Sequence, residues 1–286
     1  MNLSAACRPR VVILSANKES VQAASEHLRS VIAVHADIVH EEHSNDADLS
    51  AIDADFVIVV GGDGSILRAA KQMGTRQLPV LGVNLGKLGF LADVSVEHLA
   101  SSFREICAGH YRVIDHLMFT CQVLQNGHVV AQELGLNETS ILGGPPYSIL
   151  EINLFVDSEL VTTYSCDGLI IATPIGSTAH SLSAGGPILR KSLQAFVISA
   201  ISPHTLTVRP VVDTADRVYE MSVVAPNEST SVVVDGQPLH SVTKDTRIRI
   251  QRADVKFQLI EIYGHGYYRT LREKLGWGGK LRQIDS

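Results

Sequence analysis

Long apolar runs, basic tracts and paired cysteines are scarce in this chain of 286 residues. No segment approaches the ~18 apolar residues that a membrane-spanning helix needs, and the early run VVILSA is too short for the apolar core of a secretion signal. Lysine and arginine form no blocks and the formal net charge is −6, which argues against nucleic acid as the main partner. The four cysteines (Cys7, Cys107, Cys121 and Cys166) show neither C-x-x-C nor metal-ligand spacing, so we expect reduced thiols in a cytoplasmic protein.

The first part of the chain alternates between strand and helix patterns. VVILS, FVIVV and LPVLGVN are predicted strands, and KESVQAASEHLRSVIA, SILRAAKQM and SVEHLASSFREICAG are predicted helices. This alternation predicts an α/β domain over residues 1–115 with a doubly wound, Rossmann-like parallel sheet. Ligands bind such sheets at the carboxyl ends of the strands, where Gly61 to Gly64 and Asn84 to Gly89 would lie.

The pattern changes after Asp115, where helices nearly vanish. FTCQVLQNGHVVAQEL contains two strand-like runs around Asn126-Gly127, a strong hairpin signal. Further alternating runs predict a β-rich domain over residues 116–261, interrupted by one helix start in GSTAHSLSAGGP. Helical spacing returns in YYRTLREKLGW, within a tail of residues 262–286.

The stretch VIVVGGDGSILRAA at 57–70 has a strand, a tight glycine turn and a helix start, the usual parts of a phosphate site. It is not a dinucleotide fingerprint, because Leu67 stands where G-x-G-x-x-G needs glycine, and nearby GVNLGKL does not fit a Walker A motif. A backbone nest of Gly61, Gly62 and Gly64 at a helix N-terminus remains possible, with Arg68 as an added cation. At Gly62 we expect either close approach to phosphate or a positive φ. The alternative is a plain turn with Asp63 as helix N-cap.

Asp63 places a carboxylate where a polyanion would dock. That choice makes sense if the site transfers phosphate as well as binding it. A carboxylate there can accept the proton of an attacking hydroxyl, and it can help to hold the magnesium that neutralises a triphosphate.

A second cluster lies in DGLIIATPIGSTAHSLSAGGP at 167–187. Its neutral hydroxyls suit a ribose and a base edge, although a capped helix after a strand would explain them equally well. They are Thr173, Ser177, Thr178, Ser181 and Ser183. Two further segments are weaker signals. LNETS at 136–140 is weak because Asn-Glu is common at a strand start, and VVVDGQPL is weak because the Asp235-Gly236 pair alone suggests only a hairpin turn.

These segments in this order resemble the NAD kinase family. The matching stretches are GGDGSIL, VNLGKLGFLADV, LNET, DGLIIATPIGSTAHSLSAGGPIL, PHTLTVRP and DGQ, and they span essentially the whole chain. The resemblance implies phosphorylation of the 2′-hydroxyl of the adenosine ribose of NAD, giving NADP. The expected donor is ATP or polyphosphate, with a divalent metal (Mg²⁺ or Mn²⁺). It also implies a homodimer or homotetramer and a tail that returns to the first domain.

The resemblance further assigns roles by position. Asp63 would accept the proton, with Gly64 beside it, and Asn137 and Glu138 would hold a ribose. The remaining residues would line the NAD pocket: Phe90, Ser148, Ser165, Asp167, Thr178, Ala179, His180, Ser181, Leu182, Ser183, Ser202 and Gln237.

The chain also departs from the family pattern. TPIGSTAH has Ile175 where a threonine is usual and His180 where a tyrosine is usual, and Ser165 stands where some members carry arginine. The choice between NAD and NADH therefore stays open. Two other functions also remain: a lipid kinase of the same superfamily, and a non-catalytic NAD(P)-binding regulator. Retention of Asp63 counts against the regulator, and the well-matched STAHSLSAGGP loop counts against the lipid kinase.

Overall fold

A computed structural model describes residues 8–16, 19–44, 47–262 and 267–277. The chain divides into two compact units, Met1–Ile114 together with Gln258–Ser286, and Asp115–Phe257. The boundaries fall at 115 and 258, where the sequence pattern predicts 116 and 262. Among the described ranges, no helix combines the length and the apolar character needed to cross a membrane.

The first unit is built on parallel strands. Up to residue 107 its elements are β1 (Arg10–Ser15), α1 (Glu19–His35), β2 (Asp37–Glu42), β3 (Phe56–Val60), α2 (Asp63–Met73), β4 (Val80–Asn84), β5 (Val94–Ser95) and α3 (Val96–Cys107). Strand order is β4-β3-β1-β2, and each neighbouring pair is parallel. This arrangement confirms the predicted doubly wound sheet.

Burial explains why these segments become strands and helices. All five residues of β3 are buried, as expected for a strand of a parallel sheet whose two faces are both covered. In α2 the buried apolar residues are Ile66, Ala69, Ala70 and Met73, the spacing of one helical face. The helix ends at Gly74, which adopts φ 56°. β3 and α2 together fix where the glycine turn lies.

The second unit is rich in strands. Its elements are β6 (Tyr111–Gln125), β7 (His128–Gly135), β8 (Glu138–Leu142), β9 (Leu150–Val156), β10 (Glu159–Cys166), β11 (Gly168–Ala172), the short helix α4 (His180–Ser183), β12 (Ala195–Ile201), β13 (Val211–Thr214), β14 (Tyr219–Val223), β15 (Ser231–Val234), β16 (Gln237–Ser241) and β17 (Thr246–Ile262), of which β6 begins and β17 ends in the first unit. One antiparallel sheet has the order β13-β12-β11-β8-β15-β16, and another antiparallel series runs β10-β9-β14-β17. Their apolar side chains form one core that includes Phe119, Phe196 and Tyr219. The predicted β-rich domain is confirmed.

The end of the chain contributes to the first unit. Leu259 of β17 pairs in parallel with Val80 of β4. The last described helix, α5 (Tyr267–Leu275), buries Thr270 and Leu271. The described part of the tail therefore belongs with the first unit, as the resemblance implies.

His116 is a buried histidine in β6 that the sequence pattern does not single out. It is 1% exposed, and its ring stacks on Phe257 with centroids 6.5 Å apart. Nδ1 donates to the Lys191 carbonyl at 3.4 Å, while Nε2 is buried with no partner among the described residues. Burial, and then the positive charge of Lys191, lower the pKa of His116 from 6.5 to about 4.

This depressed pKa predicts a loss of stability in acid. The unfolded chain takes up a proton at His116 near pH 6.5, whereas the folded chain resists it until about pH 4. The contribution is therefore complete above pH 6.5 and disappears as the pH falls toward 4, a loss on the order of 3 kcal/mol. Urea unfolding between pH 4 and 7.5 measures it. His116→Phe should flatten the profile, whereas His128→Gln, at an exposed position of β7, should leave it unchanged. An unaltered profile in His116→Phe would contradict the assignment.

Candidate active site

The glycine turn joins β3 to α2 through two residues. Gly61 adopts φ 155°, and its N–H donates to the Val83 carbonyl at 2.8 Å. A Cβ at Gly61 would lie 2.4 Å from the hydroxyl oxygen of Ser65. Glycine is therefore required at this position by both conformation and space.

Gly62 and Gly64 differ from Gly61. Gly62 is extended, with φ −90° and ψ −175°, so the positive φ that would have required glycine there is absent. Gly64 lies in the first turn of α2. A Cβ at either position would meet no atom within 4 Å among the described residues outside the adjoining backbone. The N–H groups that begin a helix have no partner within the helix and favour anions, so this open space suits phosphate oxygens.

Gly62→Val separates a ligand-related glycine from a structural one. Because a side chain at Gly62 would enter open space, the fold should tolerate it, whereas a bound phosphate would lose room. We expect a KM for the phosphate donor at least about tenfold higher, equivalent to 1.4 kcal/mol of binding, with the melting temperature nearly unchanged. Initial rates against donor concentration and thermal unfolding measure the two effects. A wild-type KM in the variant would mean that the turn is ordinary structure.

Asp63 is the first helical residue of α2, and its carboxylate is held by the loop after β4. Oδ2 accepts from the N–H of Phe90 at 2.9 Å, and Oδ1 accepts from Leu91 and Ala92 at 2.9 and 3.0 Å. The N-cap is Gly62, and no side chain caps the helix, so the N-cap interpretation of Asp63 is wrong. A carboxylate offers about four acceptor positions, which leaves Oδ2 room for one further donor such as a substrate hydroxyl.

The loop of residues 84–92 contacts the Asp63 carboxylate closely. A Cβ on Gly89 would lie 2.2 Å from Oδ1 of Asp63, so only glycine allows this approach. Asn84 is 5% exposed and holds both ends of the loop, donating to the Ala92 carbonyl at 3.3 Å and accepting from the N–H of Gly86 at 3.1 Å. The ring of Phe90 faces Nζ of Lys274 at 5.3 Å. Arg68 lies further along α2 and is partly buried.

In the second unit, Asp235 fixes the segment that contains Asn137 and Glu138. Its carboxylate accepts from the N–H of Leu136, Asn137 and Glu138 at 2.7, 2.7 and 3.0 Å. Its own N–H donates to the Glu138 carbonyl at 2.9 Å. Burial raises the pKa of Asp235 to about 6 against the opposing effect of the three N–H donors. The Asp235-Gly236 turn is thus more than a hairpin connection.

Glu138 is a buried acid beside Asp235. Its residue is 7% exposed, and Oε2 is buried with no hydrogen-bond partner among the described residues. Burial, and then the charge of Asp235, raise the pKa of Glu138 to about 8, while the N–H of His180 opposes both. A buried carboxyl oxygen without a partner is unusual and costly, so Oε2 is well placed to contact a ligand.

The hydroxyls predicted in 167–187 fall into two groups. Three of them are fully buried and bonded within the protein: Thr173 donates to the Leu136 carbonyl, Ser177 to the Pro174 carbonyl, and Ser181 pairs with Ser199. Their side chains hold the loop through these hydrogen bonds. The other two, Thr178 and Ser183, are more accessible, as are the neighbouring predicted contacts Ala179, His180 and Leu182.

The remaining predicted contacts lie on strand ends and loops of the second unit. Asp167 is exposed between β10 and β11, and its Oδ1 lies 3.8 Å from Nε2 of His204. Exposed Ser202 adopts φ 45°. Of three further predicted contacts, Ser148 and Gln237 are exposed and Ser165 is partly buried.

Comparison with family models covers both units. Residues 3–111 match the ATP-NAD kinase N-terminal domain, and residues 136–262 match the ATP-NAD kinase C-terminal domain. The chain belongs to the NAD kinase family. An NAD kinase of Rhodopirellula baltica is 53% identical over 96% of this chain and 88% of its own length. An NAD kinase of Geotalea daltonii is 39% identical over 79% of each chain.

Solved structures of NAD kinases share this fold. An NAD kinase from Archaeoglobus fulgidus in complex with ATP has a TM-score of 0.76 at 27% identity, covering 94% of this chain and 100% of that one. Yeast NADH kinase complexed with NADH has a TM-score of 0.85 at 20% identity, covering 97% and 90%. At that identity the yeast enzyme supports the fold alone.

In this NAD kinase family member, three residues position the site in ways that the sequence pattern does not assign, although Asn84 and Gly89 were expected at the ligand-binding edge and Asp235 in a turn. Asn84 and Gly89 shape the loop around Asp63, and Asp235 organises the segment around Glu138. The signals were in the quoted motifs, since VNLGKLGF contains the first two and DGQ contains the third. Their roles depend on contacts between residues up to 99 positions apart.

Proposed function

We propose that this protein is an NAD kinase that transfers the terminal phosphoryl group of ATP to the 2′-hydroxyl of the adenosine ribose of NAD. The observation that carries this proposal is the Asp63 carboxylate. Asp63 lies at the start of α2, and the backbone N–H groups of residues 90–92 hold its carboxylate, with one acceptor position left on Oδ2 by the described donors. The family matches over both units support the same reaction.

The chemical step assigns one proton and one phosphoryl group. The 2′-oxygen forms a bond to the γ-phosphorus of ATP as the bond from that phosphorus to the β,γ-bridging oxygen breaks. Asp63 accepts the proton of the 2′-hydroxyl, and ADP leaves with the bridging oxygen. The N–H groups at the start of α2 stabilise the negative charge of the phosphate oxygens.

A divalent ion would supply charge neutralisation on the ATP phosphates. Among the described residues, no three His, Cys, Asp or Glu side chains are grouped to hold a metal. The Asp63 oxygens are also largely taken by backbone N–H groups. We therefore propose that Mg²⁺ or Mn²⁺ would enter bound to ATP, and not in a dedicated cage formed by the described side chains.

We assign the NAD contacts to residues of the matched motifs. Asn137 and the buried Glu138 hold a ribose, and the segment of residues 178–183 around His180 lines the pocket. Gly64, Phe90, Ser148, Ser165, Asp167, Ser202 and Gln237 complete the set.

One assay tests the activity. Purified protein is incubated with Mg-ATP and NAD, and NADP is read with an NADP-specific dehydrogenase. Parallel reactions replace ATP by polyphosphate and NAD by NADH, which decides both substrate preferences. The A. fulgidus complex with ATP supports ATP as donor. A folded protein that makes no NADP or NADPH from any of these pairs would refute the proposal.

The state of the described cysteines supports a cytoplasmic location. Cys121 and Cys166 are buried free thiols, and Cys107 is a partly buried free thiol, which supports the reducing cytoplasm. A homodimer or homotetramer is implied by the family resemblance. Light scattering after gel filtration measures the mass, and a monomer at micromolar concentration would contradict this part.

A further inference from the structure

The Asp235 carboxylate accepts hydrogen bonds from three backbone donors. The backbone N–H groups of Leu136, Asn137 and Glu138 point at its two oxygens. Since a carboxylate accepts these bonds more strongly than a neutral acid, the three bonds favour the ionised form of Asp235.

Glu138 has the opposite environment. One side of its carboxyl accepts the N–H of His180, while Oε2 is buried with no partner among the described residues. A second negative charge there would be buried next to Asp235, with an oxygen left unsatisfied, a costly arrangement. A carboxylic acid removes the charge and turns the unpaired oxygen into a donor.

The charged groups around this pair are mainly acidic. Asp235 approaches Glu138 from the turn between β15 and β16, and Glu133 of β7 adds negative charge on the Asp235 side. α4 contributes His180, whose N–H bonds the Glu138 carboxyl. Two neighbouring carboxyls whose surroundings differ in this way separate into one base and one acid.

We propose that Asp235 and Glu138 share a single proton at neutral pH. Ionised Asp235 positions the backbone of residues 136–138, and neutral Glu138 donates a hydrogen bond from Oε2 to a ribose oxygen of the bound dinucleotide. The shared proton rests on the proposed function only for the identity of the ligand. A neutral Glu138 is a hydrogen-bond donor, whereas an ionised glutamate would only accept hydrogen bonds from the ribose hydroxyls.

The first test follows the proton without using activity. In protein labelled with ¹³C at glutamate side-chain carboxyls, the Glu138 signal is assigned by its disappearance in Glu138→Gln. Its chemical shift should titrate near pH 8 in the ligand-free protein, against about 4.3 for an ordinary glutamate. A midpoint near 4.3 would overturn the proposal, even if the protein proves to be an active NAD kinase.

The same titration, carried out on Asp235→Asn, tests the role of Asp235. Asp235→Asn removes the neighbouring charge and should lower the Glu138 midpoint. An unchanged midpoint would remove Asp235 from the pair. If Asp235→Asn does not fold, the titration of the wild-type protein still decides whether Glu138 carries the proton.

The second test concerns the ligand. If only neutral Glu138 binds ribose, the KM for NAD should rise about tenfold between pH 7 and 9, with kcat changing less. Glu138→Gln offers an N–H donor at every pH and should give a flat profile. Glu159→Gln, the same change on the exposed strand β10, should keep the wild-type rise. Equal rises in Glu138→Gln and the wild-type protein would overturn the donor role, and titration near pH 8 without any NADP formation would refute only the proposed function.

Discussion

Asp63→Asn is expected to lower turnover about 10²–10⁴-fold while NAD still binds, because an amide cannot take the proton of the 2′-hydroxyl. Steady-state kinetics give the turnover, and calorimetry gives the affinity for NAD. If NAD binding and turnover fall together, Asp63 is a binding residue and not the proton acceptor.

The contacts of Asp63 add a second effect that the experiment must separate. An asparagine has one oxygen and one NH₂ group, so it cannot accept bonds from Phe90, Leu91 and Ala92 on both atoms. The NH₂ group must face at least one N–H donor, at a cost of about 1–3 kcal/mol. Thermal unfolding should therefore show a lower melting temperature for Asp63→Asn.

Asn84→Ala is the matched control for loop displacement. It removes the bonds to the Ala92 carbonyl and the Gly86 N–H and leaves the Asp63 carboxylate intact. We expect turnover to fall less in Asn84→Ala than in Asp63→Asn for a similar loss of melting temperature. An equal loss of turnover would mean that loop position, and not proton transfer, explains the Asp63 effect.

Gly176→Ala is expected to have the second large effect. A Cβ at Gly176 would lie 2.0 Å from the Asn137 carbonyl oxygen and 2.4 Å from its carbon. That carbonyl also accepts from the N–H of Thr173 at 2.8 Å, and the N–H of Asn137 donates to Asp235. The backbone at Asn137 therefore cannot move away to make room for the Cβ. We expect kcat/KM for NAD to drop about 10²-fold, as for a misplacement near 1 Å, and a destabilisation of about 1–3 kcal/mol.

Gly143→Ala provides the control at the opposite end of β8 from Asn137. Gly143 directly follows β8, and a Cβ there would lie 3.5 Å from the Leu150 side chain and 3.6 Å from the Asp167 carbonyl, ordinary contact distances. Kinetics and thermal unfolding of both variants should show near wild-type behaviour for Gly143→Ala only. If Gly176→Ala behaves like Gly143→Ala, the close approach of the loop to Asn137 is not required for activity.

Much of the architecture could be predicted because it depends on local patterns. FVIVV at 56–60 is uniformly apolar and forms a fully buried strand, and Asn126-Gly127 joins β6 to β7 as expected from its turn preference. β2 was not predicted, because DIVHEE is a short, polar strand at the edge of the sheet, with a burial pattern that lacks a buried face. Its place depends on pairing with β1, which no local signal encodes.

The sequence by itself determined the family, the glycine turn and the chemical identity of Asp63, Asn137 and Glu138, because these are properties of residue type and order. Only the tertiary structure decided what each group does in the folded chain. It joined Asp63 to a loop 27 to 29 residues away and Asp235 to a strand 97 to 99 residues away. It also placed the hydroxyls of Thr173, Ser177 and Ser181 in the interior, where they bond the protein. Hydrogen bonds and burial arise from distances in space, and a carboxylate or hydroxyl acquires its role only once those distances are set.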